Sequence, residues 1–228
     1  MDPTYLPLAE QIKLAKSSLA SSRELAMLIT VPHARVRQYV AQNVQTSKDT
    51  LLSLVSDPHT VVRKELASNS NLSVDGLIVL ASDVEFSVRQ IVAQNKACPS
   101  VQLHALAKDS HPLVRDAALQ NPHTTLWTML NCICQENSGI LRTRALARIH
   151  TCSAEKWKDA VIEGLKLSDL VEYRGEHVAL GDALIDIGEA VTYQSIQAAE
   201  LAFRVDTKTR EREDELPTPG VKFRKLSL

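Results

Sequence analysis

The chain has 228 residues, of which 44% are apolar and 23% charged, with 26 Lys and Arg against 27 Asp and Glu for a net charge of −1. That composition excludes a disordered, collagen-like or disulfide-dense chain, and the near-zero charge removes the simplest argument for a nucleic-acid partner. The longest apolar run, Leu77 to Ala81, is far below the roughly 20 residues of a spanning helix, and the acidic, proline-broken start lacks a signal-peptide pattern. The reading is therefore a cytoplasmic chain with four reduced thiols, Cys98, Cys132, Cys134 and Cys152.

In chain order, residues 6–20 place Leu8, Ile12, Ala15 and Leu19 at helical spacing, and residues 1–22 are expected to form an N-terminal helical cap. Residues 23–150 then carry an internal repeat. VRQYVAQN at 36–43, VRKELASN at 62–69, VRQIVAQN at 88–95 and VRDAALQN at 114–121 recur with a period of 26 residues. Upstream lie Asp57, Asp83 and Asp109 in one register and the leucine pairs Leu25/Leu28, Leu51/Leu54, Leu77/Leu80 and Leu103/Leu106 in another. A degraded copy, LRTRALAR at 141–148, follows one inserted residue near Glu136–Gly139.

Each unit reads as two short helices. The first opens after Ser47, Ser73 or Thr124/Thr125 as N-cap and is broken by a turn such as Asp57-Pro58. The second turns Val62, Leu66 and Ala67 inward and closes at Asn69, a residue tolerant of the left-handed conformation past helix ends. No such hairpin buries its apolar face alone, so neighbouring units must stack. The spacing sets Arg37, Arg63, Arg89 and Arg115 over aspartate-bearing turns as a structural ladder, in preference to a phosphate clamp.

Residues 151–204 lack the 26-residue signature. Ser153 can cap a helix with Trp157, Val161, Ile162 and Leu165, and helical stretches are expected around 177–187 and 192–204, as a divergent pair of repeats, a C-terminal cap or a small separate helical domain. Residues 205–228 are highly charged with two prolines and are expected to be a flexible tail, whose end VKFRKLSL mixes basic and apolar side chains.

The D-x5-V-R pattern on the second of two short helices resembles HEAT-type repeats, and the short period ending in A-x-N resembles the variant leucine-rich repeat. The resemblance covers about residues 23–148. It implies an all-α fold, a right-handed α-helical superhelix (solenoid) of two-helix repeats with helical caps, serving as a scaffold or protein-binding surface. Members of that family carrying an iron–sulfur cluster have cysteines ahead of the repeats; this chain has none before Cys98, and the cluster is not carried over.

No catalytic signature is present, and no cofactor is expected. Cys132, Cys134, His150 and Cys152 are of zinc-ligating types, but Cys132 falls at the register of core leucines and no metal site is expected. His33, His59 and His111 sit in interhelical turns. Asp182, Asp186 and Glu189 are expected to form one exposed acidic helix face. In superhelices of this type the second helices line the inner, concave surface; with Val36 and Val40 pointing to the core they present Gln38, Tyr39 and Gln42, then Lys64, Glu65 and Ser68, then Gln90, Ile91 and Gln94, then Asp116, Ala117 and Gln120, a stripe dominated by neutral amides and suited to a protein or peptide partner. The competing expectation resembles the HEAT-like alkylpurine DNA glycosylases, with Trp127, Trp157, Arg142, Arg144 and Arg148 as raw material; a neutral stripe argues against it.

Overall fold

Ser21, Ser47 and Ser73 are extended, with ψ between 150° and 157°, and their hydroxyls accept the backbone N–H of Glu24, Thr50 and Gly76. Each thereby satisfies a donor that has no acceptor inside its helix. The computed structural model describes residues 2–135 and 138–215, with side chains as far as 212. A 3-10 turn at Pro3–Tyr5 precedes α1 (Leu8–Lys16). Helix pairs follow: α2 (Ser22–Leu28) with α3 (Ala34–Gln42), α4 (Lys48–Leu52) with α5 (Thr60–Ser68), and α6 (Val74–Leu80) with α7 (Phe86–Gln94). Next come α8 (Ser100–Leu106) with α9 (Pro112–Gln120), then α10 (Leu126–Gln135) with α11 (Gly139–His150). The chain ends in α12 (Ala154–Ile162), β1 (Leu170–Tyr173), β2 (Glu176–Ala179), α13 (Leu180–Asp186) and α14 (Ala190–Glu215). The fold is mostly helical, and no described helix is long and apolar enough to cross a membrane.

Two compact units divide this chain, Met1–Ala145 and Leu146–Leu228, and the division falls inside α11. In the first unit all eight residues of the leucine pairs are at most 3% exposed. They meet Val36, Val40, Val62, Leu66, Val88, Val92, Val114 and Ala118, which are fully buried. Second helices pack in succession, α3 on α5, α5 on α7 and α7 on α9, with α1 against α3. Helices of five to nine residues are too short to persist alone, so this shared core is what sustains them.

Two ladders of polar side chains cross from unit to unit. Arg37, Arg63 and Arg89 each donate from Nε to the Oδ2 of the aspartate twenty residues on (Asp57, Asp83, Asp109) at 2.5–2.6 Å. Their Nη1 atoms meanwhile donate to the carbonyls of Val31, Asp57 and Asp83 in their own turns. Arg115 repeats the second half of the motif on the Asp109 carbonyl at 2.9 Å. The asparagines form the other ladder. Asn43, Asn69, Asn95 and Asn121 donate from Nδ2 to Ala15, Ala41, Ala67 and Ala93, each twenty-eight residues earlier, at 2.7–2.8 Å. This corrects the left-handed cap expected from sequence, because all four are extended, with φ of −64° to −73°. They stand at the helix ends for their side chains, which tie adjacent units together.

The N-terminal cap also differs from expectation. α1 ends at Lys16 and buries Gln11 and Ala15, whereas Leu19 is 92% exposed in the turn beyond it. Gln11 is drawn inward because its amide donates to the Thr4 carbonyl at 2.8 Å. Residues 136 and 137, where the inserted residue falls, lie outside the described residues.

In the second unit Ser153 caps α12, and Trp157, Val161 and Leu165 are buried. The helix expected around 177–187 is shorter than that: β2 occupies its start, paired antiparallel with β1 so that Val171 faces Val178. The turn between the strands places Arg174 and Gly175 at φ of 53° and 84°, the left-handed pair that a two-residue hairpin demands. α13 then packs on both strands and on α14, and α14 also packs along α12. α14 continues through Val205 to Glu215, so the expected irregular tail is helical over that stretch. Its Lys, Arg and Glu residues are strong helix formers, and Asp206 lies four residues before Arg210, the favourable order for an ion pair along a helix. Residues 216–228, with the VKFRKLSL end, lie outside the described residues.

Candidate functional site

Because α3, α5, α7 and α9 pack in sequence, equivalent positions on their outer faces form a row across the first unit. The structure brings Gln38, Tyr39, Gln42, Gln90, Ile91, Gln94 and Gln120 into that row, in differing states. Gln42, Gln94 and Gln120 are exposed, and Gln38, Tyr39, Gln90 and Ile91 half-buried.

Two of the amides are engaged within the protein. Gln38 Nε2 donates to Glu65 Oε1 on the next helix at 3.0 Å. Gln120 Nε2 donates to Asp116 Oδ2 at 2.9 Å, and the same oxygen lies 2.5 Å from Arg144 Nη1. Asp116 Oδ1 is buried without a hydrogen bond. Gln42, Gln90 and Gln94 have side chains that bond to no other group among the described residues. Gln90 and Gln94 flank Ile91 on α7, so that part of the row combines an apolar side chain with open donors and acceptors, and Gln42 stands two helices away on α3.

At the α3 end the row is cationic. Lys16 Nζ stands 4.2 Å from the centroid of the Tyr39 ring. The nearby positive groups of Arg35 and then Lys16 favour the phenolate and hold the Tyr39 pKa below the ordinary value of 10.0. Sequence reasoning missed Lys16 and Arg35 because they lie outside the repeated positions. It also missed the Gln38–Glu65 and Asp116–Arg144 contacts, although separations of 27 and 28 residues, close to one period, are their signal.

The remaining candidates are accounted for by packing. The guanidinium groups of Arg37, Arg63 and Arg89 are consumed by the ladder and do not face a ligand. Cys98, Cys132 and Cys134 are buried and form no disulfide, and burial pushes the thiols of Cys98 and Cys134 up to about 11. Cys132 fills a leucine position as expected, its Sγ lying 3.3 Å from the Ala107 carbonyl. Among the described residues no group of three or more His, Cys, Asp or Glu is arranged to hold a metal ion.

Asp182 and Asp186 are exposed on α13 with Leu180 and Leu184 buried, as expected, but Glu189 does not share their face. Asp186 accepts from the Tyr173 hydroxyl and pairs with Arg174 at 3.0 Å, while Glu189, beyond the end of α13, pairs with His150 at 2.9 Å. Of the glycosylase-like set, Trp157 is only 4% exposed, Arg144 is paired with Asp116, and burial lowers the pKa of Arg148. No protein-family model, no curated protein and no solved structure matches the chain.

Proposed function

We propose that this chain is a non-enzymatic interaction module, a solenoid of HEAT-like repeats of the variant leucine-rich type, that holds a protein or peptide along the concave surface formed by the second helices α3, α5, α7 and α9. What carries the reading is the pair of unengaged amides Gln90 and Gln94 around half-buried Ile91 on α7, with a third, Gln42, in the equivalent position on α3. Primary amides both donate and accept, so they match the alternating groups of a peptide backbone, and an apolar anchor between them supplies burial. A cytoplasmic setting fits the reduced, buried thiols.

The glycosylase-like alternative needs free cations facing duplex DNA. The arginines of the repeat register are instead spent on aspartates and carbonyls, and Trp157 is buried, so both observations favour the peptide reading. The test is a selection of displayed random peptides on the full chain, followed by Gln42→Glu with Gln94→Glu. Loss of binding with unchanged helix content supports the proposal. Salt-sensitive, sub-micromolar binding of duplex DNA that collapses when Arg144 and Arg148 are neutralised overturns it.

A further inference from the structure

The α3 end of the row has a chemistry that the amides do not share. Lys16, closing α1, stands 4.2 Å from the centroid of the half-buried Tyr39 ring, Arg35 lies one turn before Tyr39 on α3, and on α5 Lys64 stands one helix further along beside Glu65, which accepts from Gln38. None of these three cations has a carboxylate within 4.0 Å among the described residues. Elsewhere in the first unit Arg37, Arg63, Arg89 and Arg144 are all neutralised by aspartates. Two cations held against one phenol repel each other, and a single anion between them relieves that repulsion while gaining two charge-assisted hydrogen bonds. The phenol hydroxyl adds a donor at the same place.

Two helices along, Ile91 occupies the register of Tyr39 and offers an apolar surface flanked by Gln90 and Gln94. At the α9 end, Asp116 is paired with Arg144. The row is therefore uneven: Lys16 and Arg35 stand at its α3 end, Lys64 and Glu65 on α5, and Ile91 between two amides on α7.

Resting on the peptide reading above, we infer that the ligand is an extended peptide segment with one acidic side chain seated between Lys16, Arg35 and Tyr39 and one aliphatic or aromatic side chain over Ile91. Packed helices lie about 8–10 Å apart, so two steps from α3 to α7 cover roughly 16–20 Å. An extended chain advancing about 3.3 Å per residue spans this in about five or six residues. The acid and the apolar residue of the ligand are separated by that interval.

The experiment screens the full-length chain against two pools of short displayed peptides. One pool fixes Glu and Leu at that separation, in either order, with the other positions random; the second replaces the Glu by Gln. The first pool is expected to be enriched, its members binding about tenfold tighter than their Gln counterparts and weakening as salt rises. Lys16→Glu with Arg35→Glu, both on exposed side chains, removes that tenfold advantage and leaves the Gln counterparts unchanged. Lys16→Gln with Arg35→Gln gives the same direction, and circular dichroism confirms that either pair retains its helix content. Equal enrichment of the two pools, or acidic peptides indifferent to both double substitutions, overturns the acid assignment and leaves the peptide reading standing. No binders from either pool, or binders indifferent to Gln42→Glu with Gln94→Glu, overturns both.

Discussion

Arg37 and Asp57 are a bidentate pair sealed inside the protein, with Nε to Oδ2 at 2.5 Å and Nη2 to Oδ1 at 3.2 Å. Their side chains are 9% and 3% exposed. The two residues belong to consecutive repeats, so one ion pair fixes the register of one unit on the next. Removing a single partner leaves a charge buried without its counterpart, which costs about 3–5 kcal/mol. Asp57→Ala is expected to destabilise the first unit by that order. Changing Arg37→Met together with Asp57→Leu should cost less than Asp57→Ala alone, since no orphaned charge then remains. Urea denaturation of the three proteins checks this, and a double variant as unstable as the single change plus a further loss contradicts it.

The same ladder predicts a response to acid. Burial by itself would raise the pKa of Asp57, Asp83 and Asp109, but hydrogen bonds from Arg37, Arg63 and Arg89 and from the backbone N–H two residues on outweigh it, leaving each below the ordinary 3.8. A carboxylate whose pKa is depressed by folding contributes stability that is fully present above its unfolded value and lost as pH falls through the folded one. The first unit should therefore hold its stability down to about pH 5 and lose it progressively below about pH 4. Asp83→Asn should flatten that acid limb by one carboxylate's share. Thermal unfolding followed from neutral to acidic pH measures both slopes.

Asn69 decides between two accounts of the repeat's last residue. Its Nδ2 donates to the carbonyls of Ala41 at 2.7 Å and Asn43 at 3.3 Å, and its Oδ1 accepts from the Asn71 amide at 2.8 Å. An asparagine present for left-handed backbone would be replaced without loss by glycine, whereas one present for its amide would not. At φ −73° and ψ 123° the backbone demands no glycine. Asn69→Gly and Asn69→Ala are both expected to cost about 1–3 kcal/mol, the penalty for leaving buried carbonyls unpaired. Stability retained in the glycine variant alone would restore the capping account.

These particulars show where the sequence was legible. Leu25, Leu51, Leu77 and Leu103 announced the core because apolar side chains recurring at one spacing have no other physical use. The arginines announced their aspartates because both recur in one register. Extended backbone at Asn43, Asn69, Asn95 and Asn121 was hidden, since the identity of a residue leaves open whether its backbone or its amide is being used. The β1–β2 hairpin was hidden for a related reason: its turn is Arg174-Gly175, where only the glycine marks a left-handed φ. At the candidate site the stripe of amides was legible by register, but Lys16 lies on α1, outside the repeat, and its stacking on Tyr39 appears only once α1 is packed against α3.

Core packing makes a further prediction. Leu80, at 1% exposure, is enclosed, while its neighbour Val79 is 50% exposed on the same helix. Leu80→Ala should cost about 2–5 kcal/mol, the transfer loss plus the cavity it leaves. Val79→Ala should change stability by less than about 0.5 kcal/mol, because little apolar area is lost and alanine is the better helix former. Chemical denaturation of the two variants reads out the difference, and near-equal effects would place the leucine register on the wrong face.

The four thiols predict an order of modification. Cys98, Cys132 and Cys134 are buried, at 2%, 6% and 3% exposure, and burial holds the thiols of Cys98 and Cys134 protonated, at about 11, well above neutral pH. Alkylation requires both access and the thiolate form; burial denies all three the first, and Cys98 and Cys134 the second as well. Cys152 is half-buried, its Sγ 3.4 Å from the Arg148 carbonyl. Iodoacetamide at neutral pH should therefore label Cys152 first in the native chain, with the other three labelled only as denaturant unfolds it. Mass spectrometry of peptides from a labelling time course checks the order: early modification of Cys98 or Cys134 in the native chain would show that the interior of the first unit opens to solvent, against the packing of its leucine pairs.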